Sequence, residues 1–217
     1  MLLIINKQSS SALKIHSMLD NQKLTEKMML PAWKQAYIQS TEEIIKHASE
    51  QFITLGVSAI EITKTMKSQE LGMLAFDARL DSCEAIIKES LMIPQKIIAA
   101  GVRSIAKSQK DLGNSIRVFT MRHIVQEGIH EACDSIMASS RAYQRLLVVV
   151  DLAVLEPSLY LDIGQPEPAG LTPRELIYLL QRIRILKNIA GFTITGFKEK
   201  IGDQTALLCA KIAMECY

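Results

Sequence analysis

The feature that most constrains the fold is a run of five apolar residues that ends on an acid. Residues 146–150 read LLVVV, and Asp151 follows directly. An uninterrupted apolar run with three valines is typical of a strand covered on both faces, as strands of parallel sheets are. Open α/β sheets bind their ligands at the carboxyl ends of their strands, so Asp151 is a candidate site residue.

A clear helix start follows this strand and a loop rich in proline and glycine. Thr172 can cap the helix, Pro173 suits its first position, and Glu175 completes a capping box. Shorter strands are predicted at 2–5, 52–55, 71–76, 97–100 and 116–119. Helical patterns lie between them, including a helix opened by Ser40 and a long one at 125–143. This alternation predicts an α/β fold, a three-layer sandwich with a mostly parallel sheet and helices on both faces.

Composition excludes several classes of protein. The 217 residues fit one domain, and a formal charge of +2 with no basic stripe argues against nucleic acid as a partner. No apolar run reaches membrane-spanning length, and the opening MLLIINK lacks the features of a signal peptide. The four cysteines are scattered with no Cys-x-x-Cys spacing. We therefore expect a cytoplasmic protein with reduced thiols, away from the membrane.

Four motifs carry a resemblance to a known family. In order, they are DARLD at 77–81, GVRS at 101–104, DLAVLEP with GQPEPAGLT at 151–172, and DQTA at 203–206. This series resembles the ureohydrolases, the family of arginase, agmatinase and formiminoglutamase. The resemblance covers about residues 52–217 and is weak over 1–51. It implies a single arginase-like domain over residues 1–217.

The resemblance also implies where a metal centre would lie. Ureohydrolases hold two manganese ions, which activate the attacking water. By resemblance their six ligands correspond to Ala59, Asp77, Arg79, Asp81, Asp151 and Ala153. Only the three aspartates keep a donor: Asp77 and Asp151 at the positions of the bridging pair, and Asp81 at that of a terminal ligand. The alanine methyl groups cannot coordinate a metal, and a protonated guanidinium has no lone pair to offer.

Two further family features are missing. Family members carry a glutamate near Gly196 that orients the substrate, and this position is glycine here. They also place a histidine-containing substrate loop after the DARLD position, whereas this chain continues into a helical pattern at 82–90. The resemblance therefore predicts a protein without a cofactor, with manganese as the alternative.

Arg79 is the most informative replacement. We expect its guanidinium to sit in or near the vacated position of the second metal and to form bidentate bonds, with Asp151 as the expected partner. The competing interpretation is that Arg79 points to solvent and the aspartates cap helix N-termini. The sequence leaves both open.

The function predicted from these losses is that of a catalytically inactive ureohydrolase-like protein. It would serve as a scaffold, as a regulatory subunit or as a binder of a small cation. One alternative is a manganese-dependent hydrolase of guanidino or amide C–N bonds, with one metal held by Asp77, Asp81 and Asp151. A second alternative is a sensor of guanidino compounds. The family resemblance also implies a homo-oligomer, trimer or hexamer, or a hetero-oligomer with an active relative.

Overall fold

A single parallel sheet forms the centre of the molecule. The computed structural model describes residues 2–6, 8–21, 34–38, 51–66, 70–159 and 162–216. The strands are β1 (Leu2–Asn6), β2 (Lys34–Ile38), β3 (Phe52–Leu55), β4 (Leu71–Phe76), β5 (Ile97–Val102), β6 (Arg117–Thr120), β7 (Arg145–Asp151) and β8 (Ile189–Thr195). Their order across the sheet is β2-β1-β3-β8-β7-β4-β5-β6, and all these neighbours pair in parallel.

Helices cover both faces of this sheet. They are α1 (Ser10–Asn21), α2 (Ala59–Met66), α3 (Asp81–Lys88), α4 (Lys110–Ser115), α5 (Met121–Glu127), α6 (Ile129–Ser140), α7 (Pro173–Ile183) and α8 (Asp203–Glu215). Helices α1, α5, α6, α7 and α8 pack on one face, and α2, α3 and α4 pack on the other. The predicted three-layer α/β sandwich is therefore confirmed.

Strand β7 has the two-sided burial that its sequence predicts. Leu146, Val148 and Val150 pack into the layer of α7 and α8. The intervening Leu147 and Val149 pack into the layer of α2 and α3. Because successive side chains of a strand point to opposite faces, a continuous apolar run is needed where both faces are covered. This places β7 in the interior of the sheet, between β4 and β8.

One helix expectation was wrong. The predicted long helix at 125–143 is divided into α5 and α6 at Gly128, whose φ of +86° lies outside the helical region. The first piece also begins earlier, at Met121, because the Thr120 hydroxyl caps it by accepting from the backbone N–H of His123 at 3.1 Å. The helix predicted to open at Ser40 lies outside the described residues.

The longest of the described helices, α8, has 13 residues. In this part of the chain, none is long and apolar enough to cross a membrane.

Candidate functional site

The strands bring the acidic residues together at one edge of the sheet. Asp77 directly follows β4 and Asp151 ends β7, and the pairing of Phe76 with Val150 sets the two acids side by side. Gly196 follows β8, the neighbour of β7 on its other side. A cavity of about 270 Å³ opens at these strand ends. Its walls include Asp77, Arg79, Asp81, Ser82, Asp151, Ala153, Gly164, Gln165, Gly196 and Phe197.

Asp77 is an almost fully buried acid of the cavity. The residue is only 4% exposed. Its Oδ1 accepts a hydrogen bond from the backbone N–H of Arg79 at 3.1 Å. Burial, followed by the charge of neighbouring Asp151, raises the pKa of Asp77 to about 7. At neutral pH this carboxyl group therefore carries a proton for a large fraction of the time.

Asp151 is held by the backbone and restricts the residue across from it. Its Oδ1 accepts from the N–H of Ala153 at 2.8 Å, which caps the short 3₁₀ helix Leu152–Val154. Burial raises the pKa of Asp151 as well. A Cβ added at Gly196 would lie 2.0 Å from Asp151 Oδ1. In this conformation the Asp151 carboxylate thus fills the space that any side chain at position 196 needs.

Asp81 is engaged through both of its carboxylate oxygens. It is the first residue of α3, and its Oδ2 lies 3.3 Å from Arg79 Nε. Its Oδ1 accepts from Gln109 Nε2 at 2.9 Å, and the same amide donates to Glu84 at 2.9 Å. Gln109 is only 3% exposed. Sequence reasoning missed Gln109, since a lone glutamine in a polar stretch gives no signal of such a role.

Arg79 lies in the cavity wall but not in the predicted pairing. Its guanidinium contacts Asp81 and donates to the side-chain oxygen of Gln165. Among the contacts of the described residues, the expected bidentate bond to Asp151 is not formed, and Asp151 Oδ1 accepts from the N–H of Ala153. Asp151 caps a short 3₁₀ helix, as the competing interpretation has it. The Arg79 side chain, in contrast, is only 27% exposed and does not point freely to solvent.

The donors present do not fit a two-manganese centre. Ala153 lines the cavity with a methyl group, and Ala59 lies in the apolar layer that includes α2. Within the described ranges, no three His, Cys, Asp or Glu side chains are grouped so that they could hold a metal ion. A guanidinium in the same cavity adds a positive charge that repels a divalent cation.

Arg103 fixes the loops beside the cavity. Its guanidinium N–H groups donate, at 2.5 to 3.2 Å, to the backbone oxygens of Gly101, Ala153, Val154, Leu155, Glu167 and Pro168. Burial lowers the pKa of Arg103. The motif GVRS indicated this residue without a role, and the structure gives it one: it joins the turn after β7 to the 164–170 loop that supplies Gln165.

Comparison with known proteins identifies the family. The model of the arginase family matches residues 39–217. An uncharacterised 32.2 kDa protein of Methanothermus fervidus is 25% identical over 189 residues, which are 80% of this chain and 65% of that protein. Proclavaminate amidinohydrolase of Streptomyces clavuligerus is 29% identical over 136 residues, or 59% of this chain and 42% of that enzyme. The chain thus spans less than two thirds of the length of both relatives.

Solved structures give the same fold. Formimidoylglutamase of Bacillus subtilis superposes with a TM-score of 0.84 at 16% identity, over 99% of this chain and 85% of that one. Arginase of Bacillus subtilis superposes with a TM-score of 0.80 at 15% identity, over 99% of this chain and 97% of that one. The fold is shared with both, and the family match extends over most of the sequence. The chain belongs to the arginase family.

Proposed function

We propose that this arginase-family chain is catalytically inactive and acts as a scaffold, as a regulatory subunit or as a binder of a small cation. The observation that carries the proposal is the position of Arg79, whose guanidinium lines the same cavity as Asp77 and Asp151. A bound metal ion activates water at neutral pH by lowering the pKa of that water. In this cavity the Arg79 guanidinium lies beside the carboxyl groups of Asp77 and Asp151.

The test combines metal analysis with an activity assay. The full chain, purified without chelator and then incubated with manganese, is assayed for metal content and for release of urea or ammonia from arginine and agmatine. We expect no stoichiometric manganese and no turnover. An active arginase treated in the same way is the positive control. Stoichiometric manganese together with urea or ammonia release would refute the proposal.

A hydrolase with a reduced metal site is the alternative function. It is supported by two carboxylates, those of Asp77 and Asp151, that line one cavity at adjacent strand ends. Under this alternative, one manganese ion per chain would bind and Asp77→Asn would abolish both binding and turnover. Arg79→Ala would then increase metal affinity, because it removes a positive charge from the cavity wall.

The small-cation role has its own measurement. Arg79 is paired with Asp81, so a ligand cation could contact Asp77 and Asp151 without displacing that ion pair. A cation that binds only the folded chain raises its melting temperature. We expect a shift with arginine, agmatine or a polyamine in wild-type protein and its loss in Asp151→Asn. A shift of equal size in that variant would contradict binding in this cavity.

Assembly is also part of the proposal. The family resemblance suggests a homo-oligomer or a hetero-oligomer with an active relative. Light scattering of the pure chain, and of the chain mixed with an active arginase-family enzyme, would distinguish the two. A monomer in both samples would leave the scaffold and regulatory roles without a partner of this family.

A further inference from the structure

A second cavity, of about 430 Å³, lies at the edge of the sheet where β6 meets α5 and α6. Its lining residues are Arg117, Val118, Phe119, His123, Ser135, Ala138 and Ser139. Strand β6 pairs with β5 on one side and is the last strand of the sheet in the order described above. The cavity is therefore separate from the one at the ends of β4, β7 and β8.

The polar side chains that line this edge cavity all carry N–H or O–H groups. They are the Arg117 guanidinium, the His123 ring and the hydroxyl groups of Ser135 and Ser139, and no carboxylate is among the lining residues. In the described part of the chain, no ion pair is formed between Arg117 and an acidic side chain. A positive charge with neighbouring donors and no acidic partner favours an anionic ligand.

Rigid elements hold these donors in place. Arg117 is the first residue of β6, in register with Ile98 of β5, and its Nη1 donates to Ser139 Oγ. Ser135 and Ser139 lie one helical turn apart on α6, where side chains four residues apart are neighbours. The Ser139 hydroxyl donates its hydrogen to the Ser135 backbone oxygen at 2.8 Å. The lone pairs of the Ser139 oxygen are therefore left to accept from Arg117. The remaining N–H groups of the guanidinium stay available to a ligand.

Apolar atoms complete the cavity. The His123 ring packs against Phe119 with ring centroids 5.6 Å apart, and Val118 and Ala138 add aliphatic surface. The volume is in the range of small-molecule sites and leaves room for an organic group beside an oxyanion. The combination of the Arg117 guanidinium, the Ser135 hydroxyl and an apolar wall suits an anion that carries an organic substituent.

We propose that this edge cavity binds a phosphoryl dianion, with Arg117 as its principal anchor. The planar guanidinium can donate to two phosphoryl oxygens at once, which a point charge cannot do. Ser135 and His123 supply further donors to the same group, and Phe119 and Val118 contact the substituent of a phosphate monoester. The ligand is held by binding alone, with no bond made or broken.

Titration calorimetry of the full chain tests the proposal, with phenyl phosphate and inorganic phosphate as separate probes. We expect saturable binding in wild-type protein and a loss of at least about tenfold in Arg117→Ala. The matched control is Arg122→Ala, which removes the same charge from neighbouring α5 but not from the lining residues. Tighter binding of phenyl phosphate assigns the site to an ester, and equal affinity for the two probes assigns it to the free ion.

Two results would overturn the assignment. The first is the absence of saturable heat for both probes in wild-type protein at millimolar concentration. The second is an equal loss of affinity in Arg122→Ala, which would show a diffuse effect of charge in place of a site. Ser139→Ala gives an independent check, since it removes the hydroxyl that orients Arg117 while keeping the charge. This variant should bind phenyl phosphate severalfold more weakly than wild type, with no change in melting temperature.

Discussion

Two aspartates of the candidate site make the same local bond. Asp77 Oδ1 accepts from the N–H of Arg79, and Asp151 Oδ1 accepts from the N–H of Ala153, in each case two residues further along the chain. A turn closed in this way stabilises the exit of the strand whether or not a metal is present. Retention of these aspartates therefore has a structural explanation that does not require catalysis.

The buried carboxyl group of Asp77 makes folding stability depend on pH. Its pKa rises from 3.8 in the unfolded chain to about 7 in the folded one, so the folded state holds the proton more tightly. The protonated Asp77 carboxyl group favours the folded state. Its contribution to folding stability is complete below pH 3.8 and is lost as pH rises through about 7. We compare Asp77→Asn with wild type by urea unfolding with a chelator present. As pH rises from 5 to 8, we expect the free energy of unfolding of the variant to increase relative to that of wild type by on the order of 2 kcal/mol.

The control for this experiment is Asp162→Asn. Hydrogen bonds from Gly202 and Thr205 lower the pKa of Asp162, so its contribution to stability is already complete above its unfolded pKa of 3.8. The effect of that substitution should be the same at pH 5 and pH 8. A flat difference for Asp77→Asn as well would mean that its carboxyl group is ionised throughout this range.

Gly196 is the second residue with a measurable consequence. Its φ is +81° and an added Cβ would lie 2.0 Å from Asp151 Oδ1, so Gly196→Ala combines backbone strain with a steric clash. We expect this substitution to lower the free energy of unfolding by about 2–4 kcal/mol. Gly128→Ala is the matched control, because its φ is +86° and nothing lies within 4 Å of the added Cβ. That variant carries only the backbone strain of φ +86° and ψ +154°, about 1–3 kcal/mol, and should lose less stability than Gly196→Ala.

Equal losses in the two glycine variants would have a specific meaning. They would show that the Asp151 carboxylate moves away from position 196 at no cost, and that the two residues are not coupled.

At the scale of elements, α7 shows how far local sequence determines structure. The Thr172 hydroxyl accepts from the N–H of Glu175 at 3.3 Å, and the Glu175 carboxylate accepts from the N–H of Thr172 at 2.7 Å. Pro173 occupies the first helical position as predicted. These residues are close in sequence, so their interactions can be deduced without knowledge of the fold.

The cap of α7 gives a prediction at this scale. Thr172→Ala should destabilise the chain by about 1 kcal/mol, because one backbone N–H at the start of the helix loses its acceptor. Thr172→Ser keeps the oxygen and should cost much less. Thermal unfolding of the two variants side by side is the measurement. A full loss in the serine variant would show that the threonine methyl, and not the cap, stabilises the helix.

At the scale of the whole molecule, the sequence predicts the layers well and the side-chain partners poorly. The two-sided burial of β7 follows from five apolar residues alone. The partners of Arg79, in contrast, come from Asp81 nearby and from Gln165, which lies 86 positions away. Gln109 reaches Asp81 over 28 positions. No local pattern encodes such contacts, since they depend on how the loops are brought together by the finished sheet.

The strand order also has a consequence for how the molecule assembles. Strand β3 pairs with β8, so residues near 52 are joined to residues near 191, whereas β4 to β7 can pair among themselves earlier in synthesis. Closing such a long loop costs entropy before any contact repays it. The ribosome must therefore have synthesised β8, near residue 195, before β3 and the strands beyond it can join the central strands. Until then the edge of β3 that β8 covers in the folded sheet is unpaired, and an unpaired strand edge is prone to aggregation.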